Sequence, residues 1–326
     1  MIYLLYLLLA AIVVGLSIKI SHYVDLIDKT TDISGAFIGG VMLAAVTSLP
    51  ELFTSLSATA FLGKPELVIG NILGSNIFNL TVLATLIVIM YKKVNHAFIS
   101  KSHTIVAGWL VATYGLLAFP ICLNTDATLF GVSAVSLIIG VIYMLCIQTM
   151  AKDTQAKVKG ITVYTKLTTK QLFTRFSLFS VLLVITSIGI TYVSDLVAIK
   201  LNLDVTLAGA LLLGIATSLP ELASCIALVK IGNFNAMVGN ILGSNIFNLF
   251  ILLIADVTFR TGSIYTSNQQ SYNLVFFGAI SIIAILGILI AKTFKEKLSH
   301  RTNRAIYVGG GMIPIIGYIM FLTLSK

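Results

Sequence analysis

Two short stretches of this sequence each occur twice, and this repetition constrains the possible fold more than any other feature. The eleven residues GNILGSNIFNL stand at 70–80 and return unchanged at 239–249. The six residues TSLPEL precede each copy, at 47–52 and at 217–222. Two motifs that recur in the same order indicate two copies of one structural unit.

The apolar runs between and around the motifs identify the environment of the chain. Hydrophobic residues make up 58% of the 326 residues and charged residues only 10%, whereas charged residues form about a quarter of an ordinary soluble domain. About 20 apolar residues cross a bilayer as a helix, and uninterrupted runs favour helices over a barrel. Ten such runs are present, near 2–20, 34–62, 66–91, 103–121, 127–149, 176–199, 204–230, 234–258, 272–292 and 305–325.

The ten runs divide into two sets of five, which predicts residues 1–150 as a first repeat and 176–326 as a second, joined by a basic linker at 151–175. Because five is odd, the second set enters the membrane from the opposite side. The predicted fold class is therefore an all-α membrane protein with ten transmembrane helices in two inverted five-helix repeats, a plan of many secondary transporters.

The net charge of +9 is explained by membrane topology, so nucleic acid is not expected as a partner. With the amino terminus outside, seventeen of the 21 Lys and Arg residues fall on the inner side and four on the outer side. Basic residues concentrate on the cytoplasmic side of membrane proteins. We therefore expect a multi-pass protein of the cell membrane, with both termini extracytoplasmic and the 151–175 linker in the cytoplasm.

Glu51 and Glu221 lie inside apolar runs, at equivalent places in the two copies of TSLPEL. A carboxylate in the membrane interior costs about 2.5 to 3.5 kcal/mol on insertion scales, and such residues usually have a function. Each follows a proline, Pro50 or Pro220, which removes an amide donor and predicts a kink. Carbonyl oxygens freed there, beside an acidic side chain, are suitable ligands for a cation.

Neutral oxygen ligands accompany both acidic residues. Hydroxyl groups precede each glutamate by three or four positions, and serine and asparagine share a helix face at i and i+4 in the longer motif. Carboxylates, carbonyls and hydroxyls suit Ca²⁺ and Na⁺, so the residues predict a transporter of a hard cation and leave its coupling ion open. Glycines at four-residue spacing predict close helix contacts. The neutral candidates are Thr47, Ser48, Thr217, Ser218, Ser75, Asn79, Ser244 and Asn248, and the glycines are Gly70, Gly74, Gly239 and Gly243.

The duplicated motifs resemble the paired alpha-repeats of the sodium/calcium exchanger family, of prokaryotic type, here at about 36–80 and 206–249. This resemblance implies an antiporter that exchanges Ca²⁺ for Na⁺ by alternating access, with Glu51 and Glu221 binding both ions in turn. It also implies that the hydroxyl and amide residues named above complete the metal positions, with backbone carbonyls near Ala44 and Gly214. The implied partners are Ca²⁺, Na⁺ and the lipid bilayer, with no cofactor.

Alternatives to sodium-coupled exchange remain open at this point. Some relatives have Asp where this chain has Asn79 and Asn248, which argues against potassium co-transport. A H⁺/Ca²⁺ antiporter would protonate the two glutamates instead of binding Na⁺, but it would not need the neutral ligands. A cation channel is less compatible with inverted repeats and kinked helices. An enzyme is not expected, because the sequence has no nucleophile and base pair, phosphate loop or metal triad.

Overall fold

The structure, a computed structural model, describes residues 2–60, 63, 65–153, 167–201, 214–259, 262–265 and 269–324. These residues are almost entirely helical, apart from a two-stranded antiparallel hairpin. The α-helices are α1 Ile2–Thr30, α2 Gly35–Phe37, α3 Ala44–Thr47, α4 Leu49–Ala60, α5 Pro65–Ile89, α6 Tyr91–His96, α7 Lys101–Cys122, α8 Ala134–Ala151, α9 Thr169–Lys200, α10 Gly214–Ile231, α11 Phe234–Thr258, α12 Gln269–Thr293 and α13 His300–Leu324. A π-helix at Ile38–Leu43, a 3₁₀ turn at Lys295–Lys297 and strands β1 Thr128–Leu129 and β2 Val132–Ser133 complete the described elements.

Within the described residues, eight helices are long and apolar enough to cross a membrane, or up to nine if the bent pair α3–α4 and its preceding turns form one span. Large apolar side chains such as Leu4, Leu8 and Ile185 are exposed along these helices, as expected where lipid replaces water as the solvent. The all-helical membrane fold is confirmed. The predicted run at 204–230 is described only from Gly214 onward, so the count of ten and the inverted relation of the repeats stay predictions.

Contacts divide the chain into two compact units, and each contains segments of both sequence repeats. The first unit comprises Met1–Pro50, Phe98–His103 and Ile147–Ser244. In it, α1 packs along α9 and α10, and the Ser21 hydroxyl donates to the carbonyl of Ser224 at 3.4 Å. Small polar groups at such contacts let helix backbones approach closely in a membrane.

The second unit comprises Glu51–Ala97, Thr104–Cys146 and Asn245–Lys326. Its helices α5, α12 and α13 pack on one another. The Lys292 ammonium donates to the carbonyls of Val94 and Asn95 at 2.7 and 3.1 Å, which satisfies the carboxyl end of the short helix α6. The predicted repeat boundaries at 150 and 176 stay predictions, because residues 154–166 lie outside the described part of the chain.

The first TSLPEL copy lies on a helix that is irregular on both sides of the motif. The π-helix at Ile38–Leu43 leads into α3, and the helix then breaks at Ser48 (φ −96°, ψ 5°), with a 43° bend before α4. The break precedes Pro50 by two residues, because proline lacks an amide donor and its ring clashes with the carbonyl four residues earlier. The kink predicted at the first proline is therefore confirmed.

The second TSLPEL copy behaves differently. Helix α10 continues without a break from Gly214 through Pro220 to Ile231. The helix is therefore not interrupted at Pro220 as it is before Pro50, and the kink predicted at Pro220 stays a prediction. The same six residues thus lie on an interrupted helix in the first copy and on a continuous helix in the second, so contacts outside the motif decide between the two.

Glycines of the longer motif allow a close helix contact within the first unit. A Cβ added at Gly243 would overlap the backbone of Gly40, and one at Gly39 would lie 2.8 Å from the Cα of Ala236. The π-helix therefore crosses α11 with backbone against backbone, as predicted for the second copy of the motif. At Gly70 and Gly74 no described residue lies within 4 Å of an added Cβ, so the prediction is not supported there.

Candidate functional site

Glu221 is the centre of a buried cluster of oxygen atoms in the first unit. Its side chain has no exposed surface. The hydroxyl of Ser48, the residue at the helix break, donates to Glu221 Oε1 at 3.0 Å. The Ser244 hydroxyl of α11 also donates to Oε1, at 3.5 Å. The break after α3 and one face of α11 thus bring two predicted ligands to the predicted carboxylate.

Thr47 extends this cluster toward the backbone of α3. Its hydroxyl donates to the carbonyl of Ala44 at 3.2 Å and lies 3.3 Å from the hydroxyl of Ser244. The Ser244 hydroxyl is also 3.5 Å from the Ala44 carbonyl oxygen. The amide oxygen of Asn240 lies 3.4 Å from the Thr47 hydroxyl. One small region is therefore surrounded by oxygen atoms of three predicted residues, Ala44, Thr47 and Ser244, and of Asn240.

Glu221 Oε2 differs from Oε1, because it is buried and no described residue donates a hydrogen bond to it. Among the described residues, no lysine, arginine or histidine forms a salt bridge with Glu221. The Ser218 hydroxyl, one turn earlier on α10, is likewise buried without a described partner. A buried carboxylate without a countercharge is costly. A bound cation would supply the missing charge and use these free oxygen lone pairs.

Glu51 occupies the equivalent position in the second unit, and it is also fully buried. The Ser75 hydroxyl of α5 donates to Glu51 Oε1 at 3.4 Å, which matches the contact between Ser244 and Glu221. The amide nitrogen of Asn71 donates to the backbone oxygen of Glu51 at 3.4 Å and to the Ser55 hydroxyl at 3.2 Å. The duplicated motifs therefore give each glutamate a serine ligand from the longer motif.

Four asparagines of the longer motifs form a second buried group in this unit. The side chains of Asn76 and Asn245 donate to each other's backbone oxygens, both at 3.2 Å. Asn79 Nδ2 donates to Asn245 Oδ1 at 3.2 Å, and Asn248 Nδ2 donates to Asn76 Oδ1 at 3.0 Å. The Oδ1 atoms of Asn79 and Asn248 are buried without a described donor, so they are the amide oxygens available to a cation.

The structure thus joins the predicted residues in one group in the first unit and in two groups in the second. Thr217 is buried on α10, and α10 is described from Gly214 onward, but the surroundings of Gly214 lie outside the described residues. That Glu51 and Glu221 act on one ion stays a prediction. The groups are Ala44, Thr47, Ser48, Glu221 and Ser244 in the first unit, and in the second Glu51 with Ser75 and, separately, Asn79 and Asn248 with their partner asparagines.

Sequence reasoning missed four asparagines: Asn71, Asn76, Asn240 and Asn245. A signal was present, since all four lie in the duplicated motif and Asn76 precedes Asn79 by three positions, on a shared helix face. The described residues contain no group of three or more His, Cys, Asp or Glu side chains that could hold a metal ion. The candidate ligands are therefore single carboxylates surrounded by neutral oxygens, a set that suits hard cations.

Comparisons with known proteins identify the family and the fold of the chain. A family profile described as sodium/calcium exchanger protein matches residues 1–164 and 171–326. Inner membrane protein YrbG of Escherichia coli K12 is 26% identical over 91% of this chain and 88% of its own length. CaxA of Alkalimonas amylolytica, named as an antiporter, is 25% identical over 82% of this chain and 83% of its own length. The fold is similar to that of the sodium-calcium exchanger NCX_Mj, with a TM-score of 0.72, 18% identity and 99% of both chains covered.

Proposed function

The chain belongs to the sodium/calcium exchanger protein family, and from that premise we propose that it is a secondary active antiporter that exchanges Ca²⁺ for Na⁺ across the cell membrane by alternating access. Membership assigns it to the membrane antiporters of Ca²⁺ and another cation. The identity of the coupling ion is our inference from the ligands of the site.

The observation that carries the proposal is the environment of Glu221. This carboxylate is fully buried, accepts hydrogen bonds at Oε1 only, and has no described countercharge. Such a group is stable in a low-dielectric interior when a cation binds to it or a proton neutralises it. Together, Glu51 and Glu221 carry the two negative charges that balance one Ca²⁺, so we propose both as its acidic ligands.

The neutral oxygens favour Na⁺ over H⁺ as the counter-ion. A proton needs only a carboxylate oxygen, whereas Na⁺ requires several oxygen ligands in place of water. The hydroxyls of Thr47, Ser48 and Ser244 cluster with Glu221, and the free amide oxygens of Asn79 and Asn248 belong to the group of four asparagines. We propose that these atoms complete the sodium positions, together with the backbone oxygens of Ala44 and Gly214 and with Ser75, Thr217 and Ser218.

Competition between the two ions would produce obligatory exchange. Ca²⁺ and a full set of Na⁺ ions bound together would leave excess positive charge in the membrane interior, while empty ligands would leave unpaired negative charge. Both states are expensive in a low dielectric. The protein would therefore cross between its conformations with one kind of ion bound, which gives antiport and not leak.

Purified protein in liposomes tests the proposal directly. Ca²⁺ uptake is measured under an outward Na⁺ gradient, under a pH gradient of equal driving force, and under an outward K⁺ gradient. Sodium-coupled exchange predicts Ca²⁺ uptake under the Na⁺ gradient and not under the pH or K⁺ gradient. Uptake with the pH gradient alone would assign a H⁺/Ca²⁺ antiporter, and Ca²⁺ conductance without any gradient of a second ion would assign a channel.

We also propose that both termini are extracytoplasmic and that the 151–175 linker is cytoplasmic, because basic residues concentrate at the predicted inner ends of the helices. Single cysteines introduced at positions 160 and 326, in a chain without its three native cysteines, are labelled from outside intact cells. Position 326 should react and position 160 should not. Labelling at 160 alone would reverse the proposed topology.

A further inference from the structure

The four asparagines between α5 and α11 hold one another in a fixed order. All four side chains are fully buried, in a part of the protein where water does not compete for hydrogen bonds. Asn76 and Asn245 are not among the predicted ligands, but each uses both ends of its carboxamide within this group. Their role follows from the direction of those hydrogen bonds.

The backbone decides how each amide is oriented. The carbonyl of Asn245 only accepts hydrogen bonds, so the amide that faces it must present nitrogen, and this amide is that of Asn76. Asn76 Oδ1 then faces Asn248, which must in turn present its own nitrogen. The Oδ1 atom of Asn248 is therefore directed away from this contact, and it has no described donor. An amide supplies donors on nitrogen and acceptors on oxygen only, so no other order satisfies this chain.

The same order of contacts applies with the two helices exchanged, so that Asn245 of α11 orients Asn79 of α5. The carbonyl of Asn76 fixes the nitrogen of Asn245, and Asn245 Oδ1 fixes the nitrogen of Asn79. Asn79 Oδ1 is thereby left buried and without a described donor. The pairing is crossed: each central asparagine acts on the outer asparagine of the other helix.

We propose that Asn76 and Asn245 are positioning residues for cation binding: they orient the amides of Asn248 and Asn79, respectively, so that each presents a carbonyl oxygen to Na⁺. This inference rests on the proposed function and adds a role to residues that do not contact the ion themselves. Without its partner, an outer amide rotates freely about its last bond and presents nitrogen, which repels a cation, as readily as oxygen.

A double-mutant cycle separates this positioning role from a general contribution to helix packing. The measured quantity is the Na⁺ concentration that gives half-maximal Ca²⁺ efflux from proteoliposomes. Asn76→Ala should raise this half-maximal Na⁺ concentration about fivefold, which is the effect of losing one buried hydrogen bond. In an Asn248→Ala background the same change should have less than a twofold effect, since the oriented ligand is already absent. In an Asn79→Ala background its full fivefold effect should remain, because Asn245 orients Asn79.

The two backgrounds are matched controls for each other. Asn76→Ala removes the bond to the Asn245 backbone in both, so any effect on helix packing is the same in both. The mirror cycle exchanges the roles: Asn245→Ala should couple with Asn79→Ala and not with Asn248→Ala. If Asn76→Ala does not yield folded protein, Asn76→Ser is used in the same cycle.

Equal effects of the Asn76 change in the two backgrounds would overturn the positioning role. The Ca²⁺ flux of the unmodified protein distinguishes this outcome from a failure of the proposed function. If that protein shows no Na⁺-dependent Ca²⁺ flux, sodium exchange itself is wrong. If it shows that flux and the crossed coupling is missing, only the inference about Asn76 and Asn245 fails.

Discussion

Replacing Glu221 by Gln tests most directly whether the buried carboxylate binds Ca²⁺. The amide keeps the size of the side chain, and its oxygen can still accept from Ser48 and Ser244 at the position of Oε1. Its nitrogen would replace Oε2, the oxygen without a described donor. The substitution therefore leaves the hydrogen bonds in place and removes the charge.

The expected loss of affinity is large. A carboxylate oxygen about 2.4 Å from Ca²⁺ attracts it by about 14 kcal/mol at an effective dielectric constant of about 20. Most of this energy is offset by dehydration of the ion and the carboxylate. If only one fifth of this attraction remains as a net contribution, about 2.8 kcal/mol, its loss corresponds to about a hundredfold weaker Ca²⁺ binding. Flux at a Ca²⁺ concentration near the half-saturation of the unmodified protein should fall by about the same factor.

The stability of the ion-free protein should change little. Loss of an unpaired buried charge gains about 2.5 to 3.5 kcal/mol on insertion scales, and a new unsatisfied amide costs about 1 to 3 kcal/mol. The midpoint of thermal unfolding in detergent should therefore stay within about 4 °C. Saturating Ca²⁺, at about 100 times its dissociation constant, should stabilise the unmodified protein by about 2.7 kcal/mol and the Glu221→Gln variant hardly at all.

Two measurements decide this prediction: Ca²⁺ uptake into proteoliposomes and thermal unfolding with and without Ca²⁺. Glu296→Gln, at an exposed glutamate of the 3₁₀ turn, is the matched control and should leave both unchanged. The reasoning is refuted if Glu221→Gln retains more than a tenth of the flux at limiting Ca²⁺, or if Ca²⁺ still raises its unfolding midpoint by the full amount.

Three further substitutions follow from the contacts described above. Asn79→Ala removes a neutral oxygen and no charge, so it should raise the Na⁺ requirement of exchange about tenfold while changing the half-saturating Ca²⁺ less than threefold; the reverse ratio would contradict a sodium role. Ser48→Ala removes a donor to the Glu221 carboxylate, and a charge-assisted hydrogen bond contributes about 1.5 to 3 kcal/mol, so without Ca²⁺ the unfolding midpoint should fall by several degrees. Gly243→Ala should destabilise the protein by about 1 to 3 kcal/mol through overlap with Gly40, whereas Gly287→Ala in α12, with open space around it, should be neutral or stabilising; equal unfolding midpoints for these two variants would rule out the close contact.

The sequence was sufficient to predict the helical membrane fold and the glutamates, hydroxyl residues and outer asparagines of the buried groups, because these depend on patterns that repetition makes visible; it missed Asn71, Asn76, Asn240 and Asn245. An acidic residue within an apolar run is informative by itself, and its second occurrence strengthened the inference. The contacts of Ser48 and Ser244 with Glu221 agree with that expectation. The pairing of the two glutamates on one ion remains a prediction.

The backbone around the first TSLPEL copy could not be predicted in the same way. The π-helix at Ile38–Leu43 has no side-chain signature beyond two adjacent glycines, and its geometry is coupled to the close contact with Gly243 on a distant part of the chain. Likewise, the helix breaks before Pro50 and continues through Pro220, although the letters are identical. Tertiary contacts decide such cases, and local sequence does not contain them.

The asparagine group also explains why these asparagines of the repeated motif could stay the same after the two halves diverged. Its central contact is reciprocal, since Asn76 donates to the backbone of Asn245 and Asn245 donates to the backbone of Asn76. A reciprocal contact is the kind that two identical subunits make about a twofold axis. Two separate copies of an ancestral half-length chain could form it without any prior specialisation, and gene fusion would preserve it. A later change of one of these asparagines would leave a buried amide in the other copy without its partner, so substitutions at these four positions are expected to occur in pairs.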